Sequence, residues 1–227
     1  MSRDARGVAQ LCLTAAEPAA QHFGVNRAHM EFCASPEWRA MIEEQILPAV
    51  LRDLDLGDDV IEIGPGPGFT TDVLRRRAAR VTAVEIDGLL AERLAQRLAD
   101  TNVEVVCRDA TATGLESGRF TGAGSFNMLH HVPTVEAQDA IFAELGRVLR
   151  DGALLVAADG VSSEAVKDFH QGDTYNPIDP DGLVARLRTA GFGQIEIDRF
   201  DFGWMCTARA AGEQRVHTAE VRGERPN

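Results

Sequence analysis

Leu154-Leu155-Val156-Ala157-Ala158 is apolar at every position, and a strand of that kind must be covered on both faces, whereas a half-solvated strand alternates. Shorter β-branched runs stand at Val60-Ile61-Glu62-Ile63, at Val81-Thr82-Ala83-Val84 and around Val103, Val105 and Val106. Between them lie stretches with helical apolar spacing. Residues 70 to 79 are predicted as a helix capped by Thr70 or Thr71, and Asp87 as the cap of a second, with Leu90, Leu94 and Leu98 in one stripe. Gly124 to Leu129 is the expected fourth strand, followed by a helix after Thr134 carrying Ile141, Leu145 and Val148. Asp179-Pro180 opens a further helix with Leu183 and Leu187, closed at Gly191. Ile195 and Ile197 alternate with Glu196 and Asp198, and residues 203 to 208 supply a seventh strand. Strands alternating with helices demand an α/β fold: a doubly wound, mostly parallel sheet with helices on both faces.

Two segments stand outside that rhythm, dividing the chain into an N-terminal helical cap (1–55), a core (56–211) with an insertion at 160–178, and a charged flexible tail (212–227). In the cap, Pro36 to Leu54 is helix-like, with Trp38, Met41, Ile42 and Ile46 as its apolar face. Phe23, Phe32 and Trp38 either cover an apolar ligand or pack as core. The 227 residues carry a net charge of -12, which repels phosphate backbones and makes nucleic acid and anionic membrane poor partners. Arg75-Arg76-Arg77 is the one basic run and reads as a solvated helix face. No apolar run is long enough to span a bilayer. The four cysteines form no Cys-x-x-Cys pair, so a reduced, cytoplasmic protein is expected. The six histidines lack metal-ligand spacing, and no metal is expected.

The stretch Glu62-Ile63-Gly64-Pro65-Gly66-Pro67-Gly68-Phe69-Thr70 follows the first strand. Such a turn lets backbone approach a ligand, and the helix start beyond it offers unpaired N–H groups. A dinucleotide fingerprint needs a glycine in the sixth place, where Phe69 or Thr71 stands, so nicotinamide binding is disfavoured. Glu85 ends the second strand, where a carboxylate can accept from both hydroxyls of a ribose. Asp109-Ala110 follows the third and offers groups for an adenine edge. Neighbouring strand ends are where open α/β sheets bind ligands. Together these residues describe a nucleoside pocket.

Over residues ~58 to 208 the chain resembles the class I S-adenosylmethionine-dependent methyltransferases, with Glu-Ile-Gly-Pro-Gly-Pro-Gly, Val84-Glu85-Ile86-Asp87, Arg108-Asp109-Ala110-Thr111 and Asn127-Met128-Leu129-His130-His131-Val132 in that family's order. It is most similar to the small-molecule branch that includes ubiquinone/menaquinone C-methyltransferases and actinobacterial natural-product or lipid methyltransferases. The resemblance implies a Rossmann-like seven-stranded sheet and S-adenosyl-L-methionine as cofactor. Gly64, Gly66, Gly68 and Asn127 would then meet its methionine part, Glu85 its ribose, and Asp109 with Ala110 its adenine. Glu62 would orient the loop or reach the cofactor's amino group. Where family members often begin strand four with Phe-Asp, Phe120-Thr121 stands here, and a local structural adjustment is expected.

The expected activity is transfer of the cofactor's methyl group, by in-line displacement, to a small organic acceptor such as a lipid-like or natural-product hydroxyl or carboxyl. His131 and His170 are the candidate catalytic side chains; His131 either serves as general base or bonds backbone in the turn before Pro133. Trp38, Asp173 and Tyr175 are candidate acceptor contacts. Two alternatives stand beside this one: methylation of RNA adenine, and a regulatory protein that binds the cofactor without turnover. The RNA enzymes carry Asn-x-Pro-Tyr/Phe after strand four, and Asn127-Met128-Leu129-His130 lacks both the proline and the aromatic. A homodimer is a further expectation.

Overall fold

The computed structural model describes residues 26–201 and 203–211; Phe23 and the expected tail 212–227 lie outside them. Seven strands, β1 (Asp59–Ile63), β2 (Arg80–Glu85), β3 (Val103–Cys107), β4 (Phe120–Phe126), β5 (Leu149–Gly160), β6 (Phe192–Phe200) and β7 (Gly203–Ala210), form one sheet in the order β3-β2-β1-β4-β5-β7-β6. Pairing is parallel from β3 through β5, while β7 runs antiparallel to both β5 and β6. The connection reverses between β1 and β4, which opens a crevice at their carboxyl ends. This is the Rossmann-like, mostly parallel sheet that the sequence predicts.

Strand pleating sends successive side chains to opposite faces. Ile61, Ile63, Leu155 and Ala157 point into one buried layer with Ile141, Leu145 and Val148 of α6 (Val135–Val148) and Leu183 and Leu187 of α8 (Pro180–Thr189). Val60, Leu154 and Val156 point into the other, against Val73 and Leu74 of α4 (Phe69–Leu74). Each fully buried Val, Leu or Ile side chain among these is worth about 1.5–3 kcal/mol. The remaining helices are α1 (Arg27–Cys33), α2 (Pro36–Met41), α3 (Leu47–Val50), α5 (Gly88–Arg97) and α7 (Glu164–Phe169), with a π turn at Ile42–Ile46 and a 3-10 turn at Leu129–His131.

Four local expectations are corrected. The helix-like stretch runs unbroken through α2, the π turn and α3 but ends at Val50 rather than Leu54, and the π turn shifts the apolar stripe; Ile42, Leu47, Val50 and Leu51 are buried while Met41 is 40% exposed. That stripe joins the sheet's second buried layer, so packing continues across residue 55. The helix after the glycine loop ends at Leu74, well short of residue 79, and is capped by Gly68 in the left-handed region (φ 85°), because the Thr70 and Thr71 hydroxyls are committed to Glu62. Strand β4 spans Phe120–Phe126, not Gly124 to Leu129, since Asn127 leaves the extended region (φ 51°) and the 3-10 turn follows. Cys33 and Cys206 are free thiols, but Cys107 is disulfide-bonded, which departs from a fully reduced set. At the start of β4, the Thr121 hydroxyl accepts from the Asp59 N–H at 2.9 Å and lies 3.0 Å from the Leu56 carbonyl, tying β4 to β1.

Candidate active site

The loop between β1 and α4 is shaped by three glycines with positive φ: 65° at Gly64, 51° at Gly66 and 85° at Gly68. Their neighbours differ. A Cβ at Gly64 would lie 2.0 Å from Met128 Cγ, and one at Gly68 2.3 Å from Leu94 Cδ1, whereas one at Gly66 would meet nothing within 4 Å. Gly66 is the bend's open side. The Arg97 guanidinium closes the other, donating to the Pro67 and Gly68 carbonyls at 3.1 Å each and to Asp72 Oδ2 at 2.6 Å.

Glu62 lies beneath this loop. The hydroxyl of Thr70 donates to one carboxylate oxygen and that of Thr71 to the other at 2.6 Å. Burial, opposed by those hydroxyls, pushes its carboxyl up to about 7. These contacts tie Glu62 to the start of α4. Glu85, at the end of β2, accepts from the Gly66 N–H at 3.1 Å and the Asp87 N–H at 3.0 Å; burial raises its pKa, and the two N–H groups hold it back. Asp109 turns on itself, accepting from the N–H and the hydroxyl of Thr111, each at 2.8 Å. The Asn127 N–H donates to the Ala158 carbonyl at 2.8 Å, fixing the turn out of β4. Glu85, Asp109, Ala110, Asn127, Gly64 and Gly66 all line one open cavity of ≈ 2460 Å³.

Histidines crowd the same cavity beyond Asn127. His130 Nδ1 lies 2.5 Å from Asp159 Oδ1, and its backbone N–H donates to Oδ2 of the same carboxylate at 3.0 Å. The His131 ring packs 4.0 Å from that of His130, and its Nδ1 lies 3.3 Å from the Thr174 carbonyl. Burial, with the imidazoles of His130 and His29 adding to it, pushes His131 down to about 3, which makes it a weak proton acceptor. His170 Nδ1 lies 2.7 Å from the Val166 carbonyl, and its ring stacks on Tyr175 at 4.3 Å. His29 Nδ1 lies 2.9 Å from Asp173 Oδ2, and burial lowers its pKa.

The cap and the insertion meet over this end of the cavity. The Asn26 backbone N–H donates to Asp173 Oδ1, and its side-chain amide donates to the carbonyls of Phe169 at 3.0 Å and Gln171 at 3.3 Å. Phe32 bridges Trp38 at 5.1 Å and Phe169 at 5.5 Å. Trp38 and Tyr175 line the cavity; the Asp173 carboxylate is turned instead to Asn26 and His29. The sequence did not single out His29, Asp159 or Arg97. Asp159 was findable, standing at the carboxyl end of β5 on the edge shared with Glu85; His29 carries no local signal.

The family described as a methyltransferase domain matches residues 61–157. A probable ribosomal RNA small subunit methyltransferase A from Methanopyrus kandleri is 40% identical over 72 residues, 30% of this chain and 26% of that protein; the chain thus spans about a quarter of the length of such curated relatives. A protein from Pyrococcus horikoshii superposes with TM-score 0.67 at 15% identity, covering 79% of this chain and 94% of that one. Phosphoethanolamine N-methyltransferase 2 from Haemonchus contortus, solved with S-adenosyl-L-methionine, does so with TM-score 0.60 at 15% identity over 83% of this chain and 61% of its own. Residues 61–157 match the methyltransferase domain family, and the chain shares its fold with these solved structures.

Proposed function

We propose that this chain transfers the methyl group of S-adenosylmethionine to a small organic acceptor held between the strand ends and the α1–α7 contact. The observation that carries this is one pairing. Gly66 presents backbone with open space beside it, and the buried carboxylate of Glu85 lies next to that space on the adjacent strand. Backbone there can approach a ligand closely, and a carboxylate there suits two vicinal hydroxyls. When bound, the donor supplies a methyl group already activated by a sulfonium sulfur.

The chain's own residues take the other tasks. Glu85 accepts from the ribose hydroxyls, Asp109 and Ala110 border the adenine, and Gly64, Gly68 and Asn127 shape the methionine end. His130 is the better-built proton acceptor, because Asp159 orients its ring and its buried Nε2 has no hydrogen-bond partner among the described residues. Trp38, Phe32 and Phe169 give the acceptor side an apolar wall, the usual composition of a small-ligand pocket, and α1 with the insertion serves as its lid. RNA as acceptor is disfavoured by the net charge of -12 and by the lack of proline and aromatic after Asn127. A cytoplasmic location belongs with the same proposal; among the described residues no helix is long and apolar enough to cross a membrane.

Calorimetry with S-adenosylhomocysteine and with NAD checks the donor assignment. Micromolar binding of the first and none of the second is expected, and Glu85→Ala should weaken binding by about 1–3 kcal/mol. Tight NAD binding without S-adenosylhomocysteine binding overturns the assignment. A screen of acceptors with methyl-labelled donor then separates a transferase from a regulatory protein, which would bind and not turn over.

A further inference from the structure

Three imidazoles from distant parts of the chain converge at one place: His29 on α1, His131 in the 3-10 turn after β4, and His170 at the end of α7. Each offers one nitrogen, and the three nitrogens lie within 4.8 Å of one another. Nδ1 of each ring is already engaged. Nδ1 of His29 meets the Asp173 carboxylate, Nδ1 of His131 the Thr174 carbonyl, and Nδ1 of His170 the Val166 carbonyl. A carboxylate or carbonyl at Nδ1 fixes the tautomer with the proton on that nitrogen, leaving the lone pair on Nε2. His170 is 6% exposed, and its Nε2 is buried without a hydrogen-bond partner among the described residues. A buried acceptor of that kind costs stability unless something fills its place.

We propose that His29, His131 and His170 bind a divalent transition metal, Zn2+ by preference, with one coordination position left facing the cavity. Three neutral imidazoles suit zinc, which binds histidine nitrogen at about 2.0–2.1 Å and in catalytic sites keeps its fourth position for water or substrate. Tetrahedral bonds of that length separate the nitrogens by about 3.3 Å, so binding shortens the nitrogen separations, 4.8 Å at most, by up to about 1.5 Å, within reach of side chains carried on a turn and two short helices. All three histidines line the cavity that also holds Gly66 and Glu85. On the methyl-transfer assignment made above, the open position selects an acceptor with a coordinating oxygen, sulfur or nitrogen. Asp173 is a positioning residue here, since it holds His29 without lining the cavity.

The test uses the full, untagged chain after chelator treatment, titrated with Zn2+ against a chromophoric zinc chelator and with Co2+ by visible absorption. One equivalent should bind tightly, with the intense visible bands of four-coordinate cobalt. Asp173→Asn keeps all three imidazoles and should weaken zinc ~10–100-fold, while His131→Gln and His170→Gln should weaken it further. Circular dichroism selects the folded variants. Failure to bind one equivalent, or affinity unchanged in both histidine variants, overturns the proposal. S-adenosylhomocysteine binding is measured on the same samples. Its absence beside intact zinc binding would overturn the methyl-transfer assignment and leave the metal site standing, and the opposite result would remove the metal site alone.

Discussion

Glu62 is a buried acid whose two oxygens face two hydroxyls and no cation among the described residues. Its pKa is raised from 4.5 to about 7, chiefly by burial, so between those values the folded chain holds a proton that the unfolded chain releases. Its contribution to stability is therefore complete below about pH 4.5 and is lost as pH rises through about 7. At 1.36 kcal/mol per unit the loss is about 3 kcal/mol. Urea denaturation at about pH 5 and about pH 7.5 should show this slope, and Glu62→Gln, neutral throughout, should flatten it; equal slopes in both proteins would place the titration elsewhere. Residues such as Glu62, Gly66 and Glu85 were legible in the sequence because a strand, a tight turn and a strand end are local patterns. The partners of His29 were not, because no local pattern records which loops meet above a sheet.

The same division holds for elements. Asp87 and Asp179 cap their helices as expected, and Thr134 caps a third, each accepting from N–H groups two or three residues ahead, and capping depends on those few residues alone. The π turn at Ile42–Ile46 was invisible, since its phase is set by the sheet layer against which Ile42 and Leu47 pack. The α1–α7 contact joins the two segments that stand outside the strand–helix rhythm. It hangs largely on Asn26, which caps α1 by accepting from the His29 N–H at 2.9 Å and also grips the insertion. Asn26→Ala removes a cap worth about 1 kcal/mol together with both amide contacts. Amide exchange should accelerate in residues 27–33 and 164–170, while S-adenosylhomocysteine affinity stays within a factor of about two. Unchanged exchange in both helices would mean that ring packing alone holds α1 to α7.

Across the whole molecule, the strand order puts Glu85, Asn127 and Asp159 on one edge, and this much followed from the alternation of strands and helices. The antiparallel β7 lies between β5 and β6, and its start at Gly203 and Trp204 adjoins the end of β5 on that edge. The join between His29 and Asp173 spans 144 residues, and that separation sets a chronology. During synthesis His29 emerges before any strand has formed, and it waits for all of β1 to β5 before its carboxylate partner exists. Contacts that close long loops form late, because chain entropy is lost before they repay it. Pulse-labelled hydrogen exchange during refolding should find β1, β4 and β5 protected before α1; early protection of α1 would contradict this. A growing chain would thus complete its binding floor first and roof it last, so ligand that reaches the floor early can steady the sheet before the histidines assemble above it.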